Sequence, residues 1–444
     1  MNSFSLISNC AEGLNDSQIR TALEQSLTDV RLNLKKVLLL PPDFTRFHSN
    51  AGRITWHLWD MLKNYCEVDI MPALGTHVPV TESEWKAMFG DIPFDRMIVH
   101  NWRTDVVKVG TVPGEYVSEI SEGLVSDPID VEVNKRLLDP SYDLILSIGQ
   151  VVPHEVVGMA NRNKNIFVGC GGSSMINSSH MLGAFYGLER IMGKDHTPVR
   201  NVFDYAEEHF LQNIPLSYIL TVTTAPGGNI HTHGLFIGRE RKYFEEAVKL
   251  AQQKNLIFVD RTFKKVVVLL DEKEFKSTWL GNKSVYRTRM AIADGGELIV
   301  LAPGVDKFGE DASIDKLIRK YGYCGRENIL RLVKENDDLK QNLSAAAHLI
   351  HGSGDGRFSI TYCTQHLTKE EVEGVCYGYI PYAEAAKKYN PETLKDGWNT
   401  LDDGEEIYYI PNPALGLWAD PAGGDSAAEA SEADCAPDAS RPRC

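Results

Sequence analysis

The chain has 444 residues, 43% of them hydrophobic and 24% charged, which is the composition of a soluble globular protein with room for two or more cores. Its formal charge is −15 without a cluster of lysine and arginine, which argues against an extended surface for nucleic acid or an anionic membrane. The N-terminus lacks a signal-peptide pattern and no apolar run approaches the ~20 residues that span a bilayer, so we expect a cytoplasmic protein. Its 8 cysteines include no C-x-x-C pair, which disfavours a disulfide framework and a cysteine zinc site.

Short apolar segments alternate with a helical pattern in the first third of the chain. Three segments have the length and apolar content of buried strands: KKVLLLPP (35–42), VDIMPAL (68–74) and YDLILSIGQVV (142–152). Between the first two, ITWHLWDMLKNY (54–65) has apolar residues at the spacing typical of a helix. This alternation predicts an α/β fold with largely parallel sheets.

A second region of the same kind follows a long helical pattern at 240–255. Its strand candidates are KKVVVLL (264–270) and GELIVLAPG (296–304). Because the helix has the position of an interdomain connection, we predict two α/β domains with an active-site cleft between them. The predicted organisation is an N-terminal domain over 1–252 completed by about 398–418, a C-terminal domain over 253–397, and a disordered acidic tail over 419–444.

The first candidate site follows the first strand, in PPDFTRFHSN (41–50). Open α/β sheets bind ligands at the C-terminal ends of their strands, which is where Asp43, Thr45 and Arg46 stand. A guanidinium and a hydroxyl can bind a phosphate there, and a carboxylate can accept a hydrogen bond from a ribose. The structural alternative is a turn closed by an ion pair between Asp43 and Arg46.

Two histidines follow the next two strand candidates. His77 lies in ALGTHVPVTESEW (73–85), where T-E-S-E also predicts a helix start. His100 ends the apolar segment MIVHNW (97–102). A histidine titrates near neutral pH and is suited to proton transfer. For each of them, a structural role at the end of a strand remains open.

The segment PHEVVGMANRNKNIFVGCGGSSMINSSH (153–180) holds three more candidates. His154 is followed by Lys164 ten residues later and by His180 after sixteen more. A lysine there can hold a phosphate or form a covalent link, and a neutral imidazole can bind a metal. Spacing alone leaves open whether the three residues share a site.

Taken together, these motifs resemble the lactate racemase family, whose members use a nickel-pincer nucleotide. The resemblance rests on D-x-T-R after the first strand, G-T-H after the second, a histidine closing a later strand, and the spacing of His154, Lys164 and His180. It implies that Lys164 holds the nickel-pincer nucleotide through a thioamide and that His180 is the nickel ligand. It also implies that Asp43, Thr45, Arg46 and His77 bind the nucleotide.

The resemblance further implies an isomerase that racemises or epimerises a 2-hydroxy acid. The cofactor would accept the α-hydrogen as hydride and return it to either face, with His100 and His154 as the acid/base pair. Lys283, upstream of the turn Gly295-Gly296, is similar to the substrate-binding lysine of the family. The implied partners are the small 2-hydroxy acid and the proteins that synthesise the cofactor, with neither nucleic acid nor membrane.

One segment departs from the family pattern. The commoner members have a serine, a glycine pair and a basic residue before the lysine, whereas this chain has Ala160 followed by Asn161, Arg162 and Asn163. Asparagine tolerates left-handed backbone, so the turn is expected to survive. If these side chains line the cleft, they predict a larger polar substrate than lactate, either a sugar acid or a dicarboxylate. Charge for it is expected from Arg287, Arg289 or Arg357, the last of these ending the glycine-rich segment HGSGDGR (351–357).

Two other classes of protein remain as alternatives. A zinc-dependent hydrolase would use His231 and His233 in NIHTHG, which lie two residues apart on one face of a strand, although no acidic third ligand stands at convincing spacing. A non-catalytic nucleotide-binding protein would keep Arg46 but has no need of His100, His154 and His180 together. The metal content separates the three classes.

Overall fold

The computed structural model describes residues 1–414 and 416–420. The predicted acidic tail lies outside the described residues from position 421 onward. Among the residues described, no helix is long and apolar enough to cross a membrane.

The N-terminal part of the chain builds the first of two large sheets. Its elements are, in chain order, β1 (Phe4–Ile7), α1 (Asp16–Leu27), β2 (Lys36–Leu40), α2 (Ala51–Leu62), β3 (Glu67–Ile70), α3 (Glu82–Phe89), β4 (Val106–Val112), α4 (Gly114–Ile120), β5 (Ile129–Asn134), β6 (Leu144–Gln150), β7 (Pro153–His154), β8 (Gly158–Met159), α5 (Ser173–Tyr186), α6 (Leu188–Ile191), α7 (Pro198–Phe210), β9 (Leu216–Thr224), β10 (His231–Gly238) and α8 (Arg241–Asn255). The sheet order is β1-β10-β9-β6-β2-β3.

The centre of this sheet is parallel, and its strands are apolar on both faces. β2 pairs in parallel with β3 and β6, and β6 with β9, whereas β10 and β1 add an antiparallel edge. Along β2, Val37 and Leu39 belong to one hydrophobic core and Leu38 and Leu40 to the other. Helices therefore cover both faces, and the strands' C-terminal ends are left for a site.

The C-terminal part builds the second sheet. Its elements are β11 (Leu256–Phe258), β12 (Phe263–Leu269), α9 (Thr278–Gly281), α10 (Lys283–Thr288), β13 (Ile292–Leu301), α11 (Ala312–Tyr321), α12 (Arg326–Glu335), α13 (Asp337–Lys340), α14 (Leu343–His351), β14 (Phe358–Thr364), α15 (Lys369–Gly374), β15 (Gly378–Pro381), α16 (Tyr382–Lys388), β16 (Gly397–Thr400), β17 (Glu406–Ile410) and β18 (Leu417–Ala419). The order is β15-β14-β13-β12-β17-β16, with only the β16–β17 pair antiparallel.

The predicted α/β class, with two domains and largely parallel sheets, is confirmed. The structure differs from the sequence analysis over residues 398–418, which were assigned to the N-terminal domain. β17 instead pairs with β12 in the second sheet, because Tyr408 and Ile410 lie in register with Val266 and Val268. Only β18 returns toward the first domain, where it pairs with β11 directly after α8.

Two helices bring the sheets' domains together. α14 of the C-terminal part packs against α5 of the N-terminal part. α5 carries His180, and α14 ends at His351. This contact places the two parts of the chain on opposite sides of one cavity.

Candidate active site

A single cavity collects nearly all of the residues that the sequence analysis singled out. It lies between the two domains, as predicted, and both contribute side chains. The predicted residues that line it are Asp43, Thr45, Arg46, His77, His154, Lys164, His180 and Lys283. His100 is the exception. The wall contributed by residues 42–180 is called here the N-terminal wall, and the wall contributed by residues 279–351 the C-terminal wall.

Asp43 organises the first part of the N-terminal wall. It caps the short helical turn Phe44–Ser49 and accepts hydrogen bonds from the Thr45 backbone at 3.0 Å and the Thr45 hydroxyl at 2.5 Å. Its other oxygen contacts Nδ1 of His77 at 2.5 Å. Burial alone would raise the pKa of Asp43, but the charges of His77 and Arg46 and these hydrogen bonds hold it below its usual value. Asp43 is therefore an ionised acceptor.

Arg46 does not form the ion pair with Asp43 that the sequence analysis left open as an alternative. Among the described residues it has no carboxylate within ion-pair distance, and its own side-chain contact is with the Thr45 hydroxyl at 3.4 Å. Because His77 takes the place of Arg46 beside Asp43, the guanidinium remains free to bind an anion in the cavity.

The loop before Lys164 is strained and held from outside the cavity. Asn161 and Arg162 have φ angles of 67° and 54°, in the left-handed region that asparagine tolerates better than arginine. Arg162 forms an ion pair with Asp204 at 2.5 Å, and Asn163 donates to the same carboxylate at 2.6 Å. Asn163 also accepts from Arg200, which is fully buried.

The expectation that Asn161, Arg162 and Asn163 line the substrate pocket is therefore wrong. None of the three lines the cavity, because their side chains are taken up by the network around Asp204. What the network does is fix the backbone that leads into Lys164.

Lys164 itself follows this loop and begins the turn that ends at Gly169. Burial and the neighbouring charge of Arg46 lower the pKa of its ammonium to about 8. A lowered pKa increases the share of neutral amine, which is the form that attacks an acyl group. Within the described part of the chain Lys164 has no hydrogen-bond partner, so its amine is available in the cavity.

The two histidines near Lys164, His154 and His180, carry their protons on different ring nitrogens. His180 contacts the carbonyl of Ile176 through Nδ1 at 2.6 Å, which assigns the proton to Nδ1 and leaves a lone pair on Nε2. His154 accepts from the backbone N–H of Val156 at Nδ1, at 3.1 Å, so that its proton is on Nε2. Burial lowers the pKa of His180 to about 4 and that of His154 well below its ordinary value. Both rings are neutral, with His180 set to bind a metal and His154 set to donate a proton.

His100 does not line this cavity. Nε2 lies 3.1 Å from the carbonyl of Gly171, and Nδ1 lies 2.9 Å from the amide nitrogen of Asn134. Both ring nitrogens are thus occupied, and the ring is 3% exposed. In this structure His100 would have to leave these partners to contact a substrate.

Lys283 begins α10 and lines the C-terminal wall. Burial and the charge of Arg46 lower its pKa to about 8, and Glu274 lies 3.8 Å away. Arg287, one turn later, lines a smaller adjoining cavity together with Lys283 and Glu155. Burial lowers the pKa of Arg287 to about 10, which leaves it charged.

The other two arginines proposed for substrate charge do not reach the site. Arg289 pairs with Glu189 at 2.7 Å and donates to the carbonyls of His351 and Ser353. Arg357 pairs with Asp294 at 2.9 Å. Neither lines the cavity, so the expectation that they supply positive charge to the substrate is wrong.

Sequence reasoning missed several residues of the cavity, which are Glu155, Trp279, Tyr286, Ser344, His348 and His351. Glu155 directly follows His154. Burial alone would raise the pKa of Glu155, but the charges of Arg287 and Arg46 oppose this and hold it below its usual value, so the carboxylate is ionised. The two histidines of α14 lie in the apolar run AAAHLIH (345–351). An apolar helix of this kind reads as part of the core and gives little indication of a functional site. The one indication was that the two histidines are three residues apart, which places them on the same face of the helix.

The histidines of the zinc alternative lie elsewhere. His231 and His233 are on β10, and Nε2 of His233 contacts the Thr224 hydroxyl at 2.8 Å. In the described part of the chain, the grouping of possible metal ligands is Asp195, His196 and Glu245, which includes neither of them. The zinc site therefore lacks a third ligand among these residues.

Comparison with known proteins finds a matching family model and solved structures with a similar fold. Residues 9–190 match the family model described as the lactate racemase N-terminal domain. A protein from Thermotoga maritima has a similar structure, with a TM-score of 0.79, 23% identity, and coverage of 93% of this chain and 99% of that one. The lactate racemase apoprotein from Thermoanaerobacterium thermosaccharolyticum has a TM-score of 0.67 and 17% identity, with coverage of 91% and 93%. No protein of curated function matches the sequence.

Proposed function

We propose that this chain, whose residues 9–190 match the lactate racemase N-terminal domain, is an isomerase of the lactate racemase family. It would racemise or epimerise a 2-hydroxy acid with a nickel-pincer nucleotide attached at Lys164. The observation that supports this most is the arrangement of Lys164, His180 and His154 in one cavity with the anion-binding Arg46. A protein that only binds a nucleotide has no need of a lysine with a lowered pKa beside two neutral histidines.

The residues of the N-terminal wall fit the proposed cofactor. Arg46 and the Thr45 hydroxyl would hold the phosphate, and the Asp43 carboxylate with His77 would hold the ribose. Lys164 offers a partly neutral amine for the covalent bond, and Nε2 of His180 offers the neutral donor that a soft, planar nickel centre requires. Because this group must be synthesised before it is attached, the proposal includes accessory proteins that make and load it.

When bound, the nickel-pincer nucleotide would supply the ability to take the α-hydrogen as hydride and to return it to either face of the carbon. The chain's own residues bind and orient the substrate. Lys283, held at the start of α10, would pair with the substrate carboxylate. His154, with its proton on Nε2, would donate to the substrate oxygen when the hydrogen returns. The family resemblance assigns the complementary proton transfer to His100.

The test is chiral inversion of a panel of 2-hydroxy acids by protein purified from cells that make the cofactor. We expect inversion by the wild-type protein and a loss of turnover of ~10²-fold or more in His154→Ala and in His100→Ala, as removal of a general acid or base typically gives. His196→Ala, a change at an exposed histidine outside the cavity, is the matched control and should keep wild-type turnover.

Two results would contradict the proposal. One is the absence of inversion of every acid by a protein that carries nickel and the added mass. The other is near-normal turnover in both His100→Ala and His154→Ala.

A further inference from the structure

The C-terminal wall contains a row of polar residues that the proposed mechanism does not use. Ser344, His348 and His351 are spaced four and three residues apart on α14, which places them on one face of the helix, and all three line the cavity. α14 packs against α5, and the backbone N–H of Ser344 donates to the side chain of Asn177 at 3.1 Å, so this face borders the helix that carries His180.

Two of the three polar side chains already have partners. Nδ1 of His348 lies 2.7 Å from the Tyr286 hydroxyl, and Nε2 lies 2.9 Å from the Tyr323 hydroxyl. The Ser344 hydroxyl donates to the side chain of Asn342 at 2.9 Å. Both side chains are thus held in fixed positions.

His351 differs from them. It is 3% exposed, and its Nε2 is buried without a hydrogen-bond partner in the described part of the chain. Buried polar atoms in proteins are nearly always paired, and an unpaired one in the wall of a cavity indicates a partner supplied by a ligand. Burial lowers the pKa of His351 to about 4, so the ring is neutral and suits a hydroxyl better than a carboxylate.

The charges of this wall also favour hydroxyl groups. Lys283 is the one charged side chain among the described residues that the C-terminal wall contributes to the cavity. Arg289, next to the end of α14, is held by Glu189 and by two backbone carbonyls. Arg287 lies beside Lys283, where the ionised Glu155 already faces it, and not beside α14. A second carboxylate along α14 would therefore be buried without a cation, which is unfavourable.

We propose that the Ser344 and His351 side of α14 binds the hydroxyl groups of a polyhydroxy acid, and that His351 selects this substrate class over lactate and over dicarboxylates. This inference rests on the proposed function, since it assumes that Lys283 binds the carboxylate. The carbon chain beyond the reacting centre then extends along α14, where a hydroxyl pairs with Nε2 of His351. Lactate has only a methyl group there and leaves that nitrogen unpaired.

The test compares gluconate, malate and lactate as substrates of the cofactor-loaded protein and of its His351→Leu variant. Leucine keeps an apolar side chain of similar reach but has no ring nitrogen. We expect gluconate to have the highest kcat/KM in the wild-type protein. In His351→Leu its kcat/KM should fall about tenfold, mainly through KM, because one uncharged hydrogen bond is lost. The value for lactate should stay within about twofold.

Two further variants separate a lost contact from a damaged fold. His351→Gln retains an amide that can donate or accept, and should recover part of the loss for gluconate. His366→Leu changes an exposed histidine of the same domain and should leave all three substrates unaffected. A parallel loss for gluconate and lactate in His351→Leu would overturn the inference, as would malate being the best substrate of the wild-type protein.

Calorimetric titration of gluconate into the same proteins distinguishes this inference from the proposed function. If no acid is inverted but gluconate binds and His351→Leu weakens that binding about tenfold, the proposed function fails and the hydroxyl-binding wall stands. If the acids are inverted but His351→Leu binds gluconate like the wild-type protein, the wall is refuted and the proposed function stands.

Discussion

The two walls of the cavity differ in the kind of group that they leave available to a ligand. On the N-terminal wall, Asp43 is held by Thr45 and His77, and Nδ1 of each of His154 and His180 is fixed by the backbone. The groups of this wall that remain available to a ligand include the cations Lys164 and Arg46. On the C-terminal wall, Nε2 of His351 has no partner within residues 1–414 and 416–420, and neither has Nε of Arg287 in the adjoining cavity.

This difference fits two kinds of ligand. A permanently attached group needs a rigid set of contacts in which each residue has one position, and a paired network provides it. A substrate that enters and leaves needs a weaker, uncharged contact, such as a hydrogen bond to Nε2 of His351, whereas the available cations of the N-terminal wall suit a phosphate and a covalent bond. The N-terminal wall is therefore suited to a fixed cofactor, and the C-terminal wall to an exchangeable substrate.

The largest expected effect follows from breaking the network behind the N-terminal wall. Asp204→Ala removes the carboxylate that pairs with Arg162 and Asn163 and leaves Arg162 with Glu207, at 3.5 Å, as a remaining carboxylate partner. Loss of a hydrogen bond to a charged group costs about 1.5–3 kcal/mol, so the free energy of unfolding measured in urea should fall by that amount. Loading at Lys164 should fall as well, because the loop is no longer held.

The control for this change is Asp130→Ala, at an exposed ion pair with Lys108. It should lower the free energy of unfolding by less than about 1 kcal/mol. Equal losses in the two variants would show that the network does not hold the loop.

The next effect concerns the metal. His180→Ala removes the ring nitrogen assigned to nickel, and we expect nickel to be retained at least ~10–100-fold more weakly in a competition with a chelator. Loss of a ligand at the metal should exceed the typical effect of losing a residue behind it. His209→Ala, at an exposed histidine, should retain nickel like the wild-type protein. Wild-type retention in His180→Ala would remove this residue from the metal site.

The pH dependence of stability tests the C-terminal wall. The pKa of His351 is lowered by burial from 6.5 to about 4, so between these values the unfolded chain binds more protons than the folded one. The free energy of unfolding should therefore fall as the pH falls from 6.5 toward 4. Below pH 4, protonation of His351 should cause no further loss of stability. In His351→Gln the fall should be smaller, by about 1.4 kcal/mol near pH 5.5. Equal pH profiles of the two apoproteins would show that the ring is not buried in its neutral form.

The smallest effect is expected at the strained loop. Asn161 has a φ of 67°, a conformation that glycine adopts without cost. Asn161→Gly should change the free energy of unfolding by less than about 1 kcal/mol, whereas Asn161→Ala should lower it by about 1–2 kcal/mol. Urea denaturation of both variants measures this. Equal values for glycine and alanine would show that left-handed strain does not matter at this position.

The sequence predicted the N-terminal wall better than the C-terminal wall, for a physical reason. Asp43, His77 and His154 follow strands or strand candidates, and the ends of neighbouring parallel strands meet at one edge of a sheet. His351 and Ser344 lie on an apolar helix that reaches the cavity only through domain packing, which a linear pattern does not encode.

The error at Asn161–Asn163 has a related cause. The partners of these side chains, Asp204 and Arg200, stand some forty residues later in the chain. The motif therefore identified the polar residues but not the partners with which they form hydrogen bonds and an ion pair. The strand pairing of residues 397–410 was missed for the same reason, because its register is set by β12 in a distant part of the sequence.

The most direct test of the account is the intact mass of the chain purified from cells that make the cofactor, with nickel measured on the same sample. The account predicts an added mass accompanied by nickel, carried by the wild-type protein and by Lys249→Ala, a change at an exposed lysine of α8, and absent from Lys164→Ala. An unchanged adduct in Lys164→Ala, or a wild-type chain of unmodified mass without nickel, would contradict it.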